Sequence, residues 1–227
     1  MKLSIIIPSY NEAPTIMKVV GKILLLNIPH HIELIIINDG SSDDTAKILK
    51  NLSPQKNIKI ITNNKNLGKG ASIRKGLAVA SGSIILIQDA DLEYDPRDIS
   101  KLLEQFKKEN VNVVYGSRVI NKNPTSHWTF NFGGRLLTFI TNLLYHANIT
   151  DEATGYKAFR KDVIKNLKLK SRRFEFCPEV TAKVIKNGFK ITEVPISYSP
   201  RPISEKKIKW HDGLWAIFYL IKYRFFD

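Results

Sequence analysis

"SIILIQDADLEYDP", residues 83–96, is the stretch on which the fold turns. Five apolar or small residues run into a turn that carries Asp89, Asp91 and Glu93 at alternate positions, as if a buried strand ended in acid. Like charges this close repel, so a cation or a well-hydrated turn has to relieve them. The same scheme recurs in "LSIIIPS", "IELIIIND", "IKIITNN" and "NVVYGS", β-branched runs that end in polar turns. Near-continuous apolar strands of this kind belong to a parallel sheet covered on both faces. Helical patterns lie between them. Residues 14–26 space Ile16, Val19, Val20, Ile23 and Leu24 at helical intervals, and "SSDDTAKILKNL" opens with capping residues. "DPRDISKLLEQFKKEN" offers Asp95 as a cap and Pro96 at the first helical position. Strands alternating with helices predict an α/β class.

Composition narrows the possibilities. A chain of 227 residues with 43% hydrophobic content buries a full core. One domain over 1–200 is expected, with a basic loop and an amphipathic helix over 201–227. Lys and Arg outnumber Asp and Glu by 35 to 21, and the surplus is late: 18 against 14 in residues 1–156, 17 against 7 in 157–227. Such a surplus suits phosphate groups, an anionic membrane face or nucleic acid. The single cysteine, Cys177, excludes an intrachain disulfide and a cysteine-based zinc site, and is read as a packed thiol. The apolar run before Pro8 is too short for a signal peptide, and no run reaches bilayer length, so a cytosolic protein is expected.

In open α/β sheets ligands sit beyond the carboxyl ends of the strands. Four polar clusters fall there: "PSYNE" (8–12), "NDGSSDDT" (38–45), "NLGKGAS" (66–72) and "DADLE" (89–93). "NLGKGAS" combines glycine-exposed amides with Lys69, a set able to hold an anion, although it lacks the full P-loop pattern. Asp89 and Asp91, two apart on an extended segment, point to one side and present hard oxygen ligands to Mg²⁺ or Mn²⁺ beside a diphosphate.

In this order, "SIIIPSYNE", "IINDGSSDDT", "NLGKGASIRKGLAVASG", "QDADLE", "GSR" and "TGYKAFR" resemble the family 2 inverting glycosyltransferases of GT-A fold. "EFCPEVTAKVIKNGFKITEVPISYSPR" and "KKIKWHDGLWAIFYLIKYRF" make the likeness closest to the polyprenyl-phosphate glycosyltransferases, the dolichol-phosphate mannose synthase group. The resemblance implies a mostly parallel Rossmann-like sheet with C-terminal amphipathic helices, a nucleotide-sugar donor (GDP-mannose or UDP-glucose), and a polyprenyl or dolichyl phosphate acceptor. It implies that Pro8, Tyr10, Glu12 and Asp39 line the nucleoside pocket with Lys69 close by, that Asp89 and Asp91 hold the metal, and that Glu93 is a third ligand. Arg118 in "YGSR" and Arg135 in "NFGGRLLT" are the expected acceptor-phosphate cations, since a guanidinium offers paired donors to phosphate. Arg201 is expected to neutralise the leaving diphosphate, with Lys206, Lys207 and Lys209 as a basic segment above it. Asp91 and Arg118 are the residues expected to carry catalysis.

A phosphate monoester is already an anionic nucleophile near neutral pH and needs no strong base. A glycan or protein hydroxyl would need one, and Asp151 or Glu152 would supply it unless they order the acceptor loop instead. Aromatic and basic residues interleave in "WTFNFGGRLLTFITNLLYHANI" and "DGLWAIFYLIKYRFF", which suits helices lying on the cytoplasmic face of a membrane or packing on the core, and allows for a small membrane-anchoring subunit. A nucleic-acid-binding module is disfavoured. No motif for it is present, and the acidic turn would repel a phosphate backbone.

Overall fold

The computed structural model describes residues 2–52, 56–121, 123–124 and 127–226. β1 (Lys2–Ser9), α1 (Ile16–Leu24), β2 (His31–Asn38), α2 (Thr45–Leu52), β3 (Ile58–Thr62), α3 (Lys69–Val79) and β4 (Ile84–Ile87) form the first half. α4 (Ile99–Gln105), β5 (Val113–Ser117), α5 (Trp128–Tyr145), β6 (Lys157–Arg160), α6 (Lys161–Asn166), α7 (Phe176–Lys186), β7 (Ile191–Pro195) and α8 (Trp210–Phe225) complete it. The sheet order is β3-β2-β1-β4-β6-β5-β7. β1, β2, β3 and β4 are mutually parallel, as their double-sided burial demands.

One apolar layer packs Leu3, Ile5, Ile7, Val19, Ile23 and Ile36 on one face, and another packs Ile6, Ile35, Ile37, Ile73 and Ile85 on the other. α1 is shorter than the periodicity of 14–26 predicts. Its entry is a tight turn in which the amides of Thr15 and Ile16 both donate to the Glu12 carbonyl. Asp95 caps as expected, accepting from the Arg97 amide with Pro96 at the first position of a short 3₁₀ turn.

β6 is the departure from an all-parallel reading. It runs antiparallel between β4 and β5. The chain therefore enters β6 from the edge where β1, β2 and β4 end, and deposits loop 146–156 at that edge. A third apolar cluster joins α5, α7 and α8 through Leu137, Tyr145, Ala182, Ala216, Leu220 and Tyr223, so the C-terminal helix is docked on the fold.

At the opposite end of the sheet, Glu33 accepts from Ser4, Lys59 and Ser81. Burial alone would raise its carboxyl, but these bonds outweigh it and hold the pKa at about 2. A depressed carboxylate stabilises the fold above its unfolded pKa and loses that contribution as pH falls through the folded value. Glu33→Gln is accordingly expected to flatten the loss of thermal stability between pH 4.5 and pH 2, as followed by circular dichroism.

Candidate active site

The residues expected to line a nucleoside pocket sit at the ends of β1 and β2. Pro8 pairs with Ile37 at the end of β1, and Tyr10 follows, half-buried. Asn11, at φ 50°, is stitched to the β2–α2 loop by its amide donating to Ser41 Oγ and by the Ser42 amide donating to its side-chain oxygen. Asp39 is buried, and both its oxygens are in use: Asn63 Nδ2 at 2.7 Å and the Leu67 amide at 3.0 Å reach one, the Gly68 amide at 2.8 Å the other. Asp39 thus shapes loop 63–68, and any bond to a donor would be additional.

The glycine-rich stretch that follows is not the open anion cradle its composition suggests. The Gly68 amide is bonded to Asp39, the Gly70 amide donates to the Arg173 carbonyl and the Ala71 amide to the Arg172 carbonyl. A Cβ on Gly68, which has φ +97°, would stand 2.4 Å from the Arg172 carbonyl oxygen. These glycines serve close backbone packing against 171–173, and Lys69 turns instead to Asp89.

The acidic turn is wrapped in the chain's own cations. Lys69 Nζ lies 2.6 Å from Asp89. Arg201 reaches Asp91 at 2.9 Å, Glu12 at 3.3 Å and Glu93 at 3.9 Å. Lys207 meets Glu12 at 2.6 Å, and Lys206 meets Glu93 at 3.3 Å. Glu93 also accepts from Tyr198 Oη and from the Arg201 amide, so it ties down segment 198–206. Among the described residues no three His, Cys, Asp or Glu side chains converge as a metal-holding set. All three expected ligands are engaged by cations of the chain itself, Asp89 by Lys69, Asp91 by Arg201 and Glu93 by Lys206.

Burial, and then the neighbouring Asp89, raise the Asp91 carboxyl to about 7 despite Arg201. A carboxyl whose folded pKa exceeds its unfolded one holds its proton more tightly in the fold. Between its ordinary 3.8 and about 7 the unfolded chain has released that proton and the folded chain has not, so stability from this group falls as pH rises. Thermal unfolding of the metal-free protein should show that slope, and Asp91→Asn should remove it.

Gly155, in the loop before β6, packs on the same pair. A Cβ there would stand 2.2 Å from Asp89 Oδ2. Gly155→Ala is expected to displace that carboxylate and lower activity at this site about 100-fold, since misplacement of a reacting group by about an ångström costs this much. A rate within twofold of wild type would refute the contact.

Arg118 follows β5. Its Nε and Nη2 each lie 2.7 Å from Asp151, whose carboxylate also accepts the Arg118 amide. Burial would lower the guanidinium pKa, but Asp151 outweighs it and the charge is secure. Both Asp151 oxygens are thereby occupied. Glu152 is 0% exposed, its carboxyl raised by burial, with neither oxygen meeting a hydrogen-bond partner in good geometry. Neither carboxylate stands open to an incoming hydroxyl. Arg135 is exposed on α5. Cys177 is a free thiol packed toward the Thr154 carbonyl, its pKa raised by burial.

Several site residues carry no local signal. Tyr94, whose hydroxyl accepts from the Gly155 amide, Asn123, which bonds the Arg118 and Ile196 carbonyls, and Lys157, buried under loop 150–156 with Nζ on the Glu152 carbonyl, emerge only from the fold. A central, mostly parallel seven-stranded sheet with its polar clusters on one edge defines a GT-A-type, Rossmann-like protein.

The chain belongs to glycosyl transferase family 2, whose profile matches residues 4–168. It is 29% identical over 214 residues to a dolichol-phosphate mannosyltransferase of Pyrococcus furiosus, covering 92% of this chain and 60% of that protein. It is 34% identical over 212 residues to a UDP-N-acetylglucosamine–dolichyl-phosphate N-acetylglucosaminyltransferase of Methanococcus voltae, covering 85% and 83%. The chain thus spans less than two thirds of the Pyrococcus relative. In fold it is similar to glucosyl-3-phosphoglycerate synthase from Mycobacterium tuberculosis, solved with Mn²⁺, UDP and phosphoglyceric acid. The TM-score is 0.76 at 19% identity, covering 100% of this chain and 79% of that one. The same enzyme has been solved with Mg²⁺ and UDP.

Proposed function

We propose that this protein transfers a hexose, with inversion, from a nucleotide-sugar to a polyprenyl or dolichyl phosphate. The observation that carries the acceptor class is the Arg118–Asp151 pair. It presents a secure cation while Asp151, taken by Arg118, and Glu152, fully buried, are closed to an incoming hydroxyl, which suits a phosphate nucleophile. The relatives named for dolichyl phosphate support the same class.

The residues present fit a divalent cation. Asp89 and Asp91 crowd two carboxylates whose repulsion is expressed in the raised Asp91, and both now lean on Lys69 and Arg201 for compensation. Mg²⁺ or Mn²⁺ held there would supply Lewis-acid neutralisation of the donor diphosphate. Pro8, Tyr10, Glu12 and Asp39 frame the nucleoside side. Arg201 and Lys207, released from Asp91 and Glu12, and Lys206, held on Glu93, would face the leaving diphosphate, where cations placed at developing charge lower the barrier.

Peripheral attachment at the cytoplasmic face of a membrane is supported by the outer faces of α5 and α8. Trp128, Phe132, Leu136, Phe139 and Leu143 line the outer face of α5, and Leu214, Phe218, Ile221 and Phe225 that of α8, all exposed. Arg135, Lys222 and Arg224 flank them in exposed positions. Among the described residues no helix is long and apolar enough to cross a bilayer. An apolar stripe edged with Lys and Arg fits an anionic interface. Phe139→Ser with Phe218→Ser is expected to abolish co-sedimentation with phosphatidylglycerol vesicles while leaving transfer to a short, water-soluble acceptor unchanged; retention on the vesicles would refute the surface.

The direct test is transfer from labelled GDP-mannose and UDP-glucose, in parallel, to farnesyl phosphate with and without Mn²⁺. Metal-dependent label in the organic phase is the expected result. Metal-dependent donor hydrolysis without lipid product would overturn the acceptor class.

A further inference from the structure

The acceptor cation and the acidic turn are joined by one side chain. Tyr198, buried beyond β7, has its ring centre 5.6 Å from that of Tyr94 and 5.2 Å from the Arg118 guanidinium carbon. Its hydroxyl donates to Glu93 at 3.1 Å and lies 3.4 Å from Lys206 Nζ. Its amide donates to the Asn123 side-chain oxygen, while Asn123 Nδ2 holds the Arg118 carbonyl at 2.9 Å. Three residues on, the Arg201 amide donates to the same Glu93 carboxylate.

We propose that Tyr198 is a positioning residue that couples the two subsites: its ring seats Arg118 for the acceptor phosphate, and its hydroxyl, through Glu93, sets Arg201 and Lys206 for the diphosphate. This rests on the reading of the acceptor given above. The geometry assigns the two tasks to different parts of one side chain. Arg118 spends Nε and Nη2 on Asp151, which leaves the Nη1 edge for a ligand, and an aromatic face beside a guanidinium holds its plane and adds cation–π attraction. The phenol lies at the other end, on the one carboxylate that also binds the Arg201 amide and Lys206. Burial pushes its pKa upward, so it remains a donor at neutral pH.

Tyr198→Phe keeps the ring and removes the hydroxyl, whereas Tyr198→Leu removes both. Two quantities are measured on the full chain: the KM for farnesyl phosphate in steady-state transfer, and the Kd for UDP and for GDP in the presence of Mn²⁺ by calorimetry. Tyr198→Phe is expected to weaken nucleotide binding about tenfold, the usual effect of losing a hydrogen bond to a charged group, with the acceptor KM within twofold of wild type. Tyr198→Leu is expected to weaken the nucleotide equally and to raise the acceptor KM several-fold as well. An active wild type whose two variants lose both quantities in step, or neither, overturns this inference alone. A wild type that binds nucleotide yet transfers nothing to farnesyl phosphate overturns the lipid-phosphate reading and this inference with it.

Discussion

Asp91→Ala is expected to lower sugar transfer by about 10³-fold or more while the protein still folds. A group that stabilises charge developing on a leaving diphosphate acts mainly in the transition state, and loss of one such contact costs about 10²–10³ even where the metal remains. Here the loss is compounded. Asp91 lies beside Asp89, and the repulsion between the two carboxylates is part of what raises its pKa. Its removal also frees the Arg201 guanidinium, which bonds Asp91 at 2.9 Å, to remain on Glu12. Stability should hold or improve near neutral pH, since a buried carboxyl that resists ionisation is being deleted. The checks are initial rates with excess Mn²⁺ and a thermal melt of the same sample. A variant within tenfold of wild type would remove Asp91 from the chemistry.

Arg118→Met is expected to damage both activity and the fold. Asp151 is buried and has two of its three bonds from the Arg118 side chain, so the substitution leaves a buried carboxylate nearly unpaired. Breaking one partner of such a pair costs about 3–5 kcal/mol. In a chain of this size that corresponds to a melting temperature lower by about 10 °C. Pairing it with Asp151→Asn separates the two effects. The double variant should recover much of the stability, because the stranded charge is gone, yet transfer should stay depressed about 100-fold at a fixed farnesyl phosphate concentration, because the phosphate-binding cation is gone too. Recovery of both would make Arg118 a structural residue only.

The alternation of β-branched runs with amphipathic segments was legible because strand and helix periods are set by near neighbours in the chain. Ile5 to Ile7 and Leu34 to Ile37 are buried on both faces of the sheet as their unbroken apolarity requires. Asp95 and Pro96 likewise declare their cap locally. The polar clusters were found for the same reason, and the family motifs lie on them. What those clusters do was less legible. "NLGKGAS" has the composition of an anion loop, but its amides are taken by Asp39 and by the carbonyls of 172 and 173. Arg135 is exposed on α5 while Leu137 of the same helix packs on α7 and α8, since the face of a helix that meets the core depends on what packs against it.

The α/β class, the family and the acidic edge after β4 are properties of contiguous residues. Which charges meet is a property of the folded chain. The antiparallel entry of β6 brings Gly155 onto Asp89 and Asp151 onto Arg118, and the return after β7 lays Arg201 on Asp91 across 110 residues of chain. Those pairings make Glu93 the anchor of segment 198–206 and place Tyr198 between Arg118 and the acidic turn. No local pattern encodes them, because the partner of a charge in a folded chain is chosen by where the connections between strands deposit it, and burial then sets how strongly the two are held.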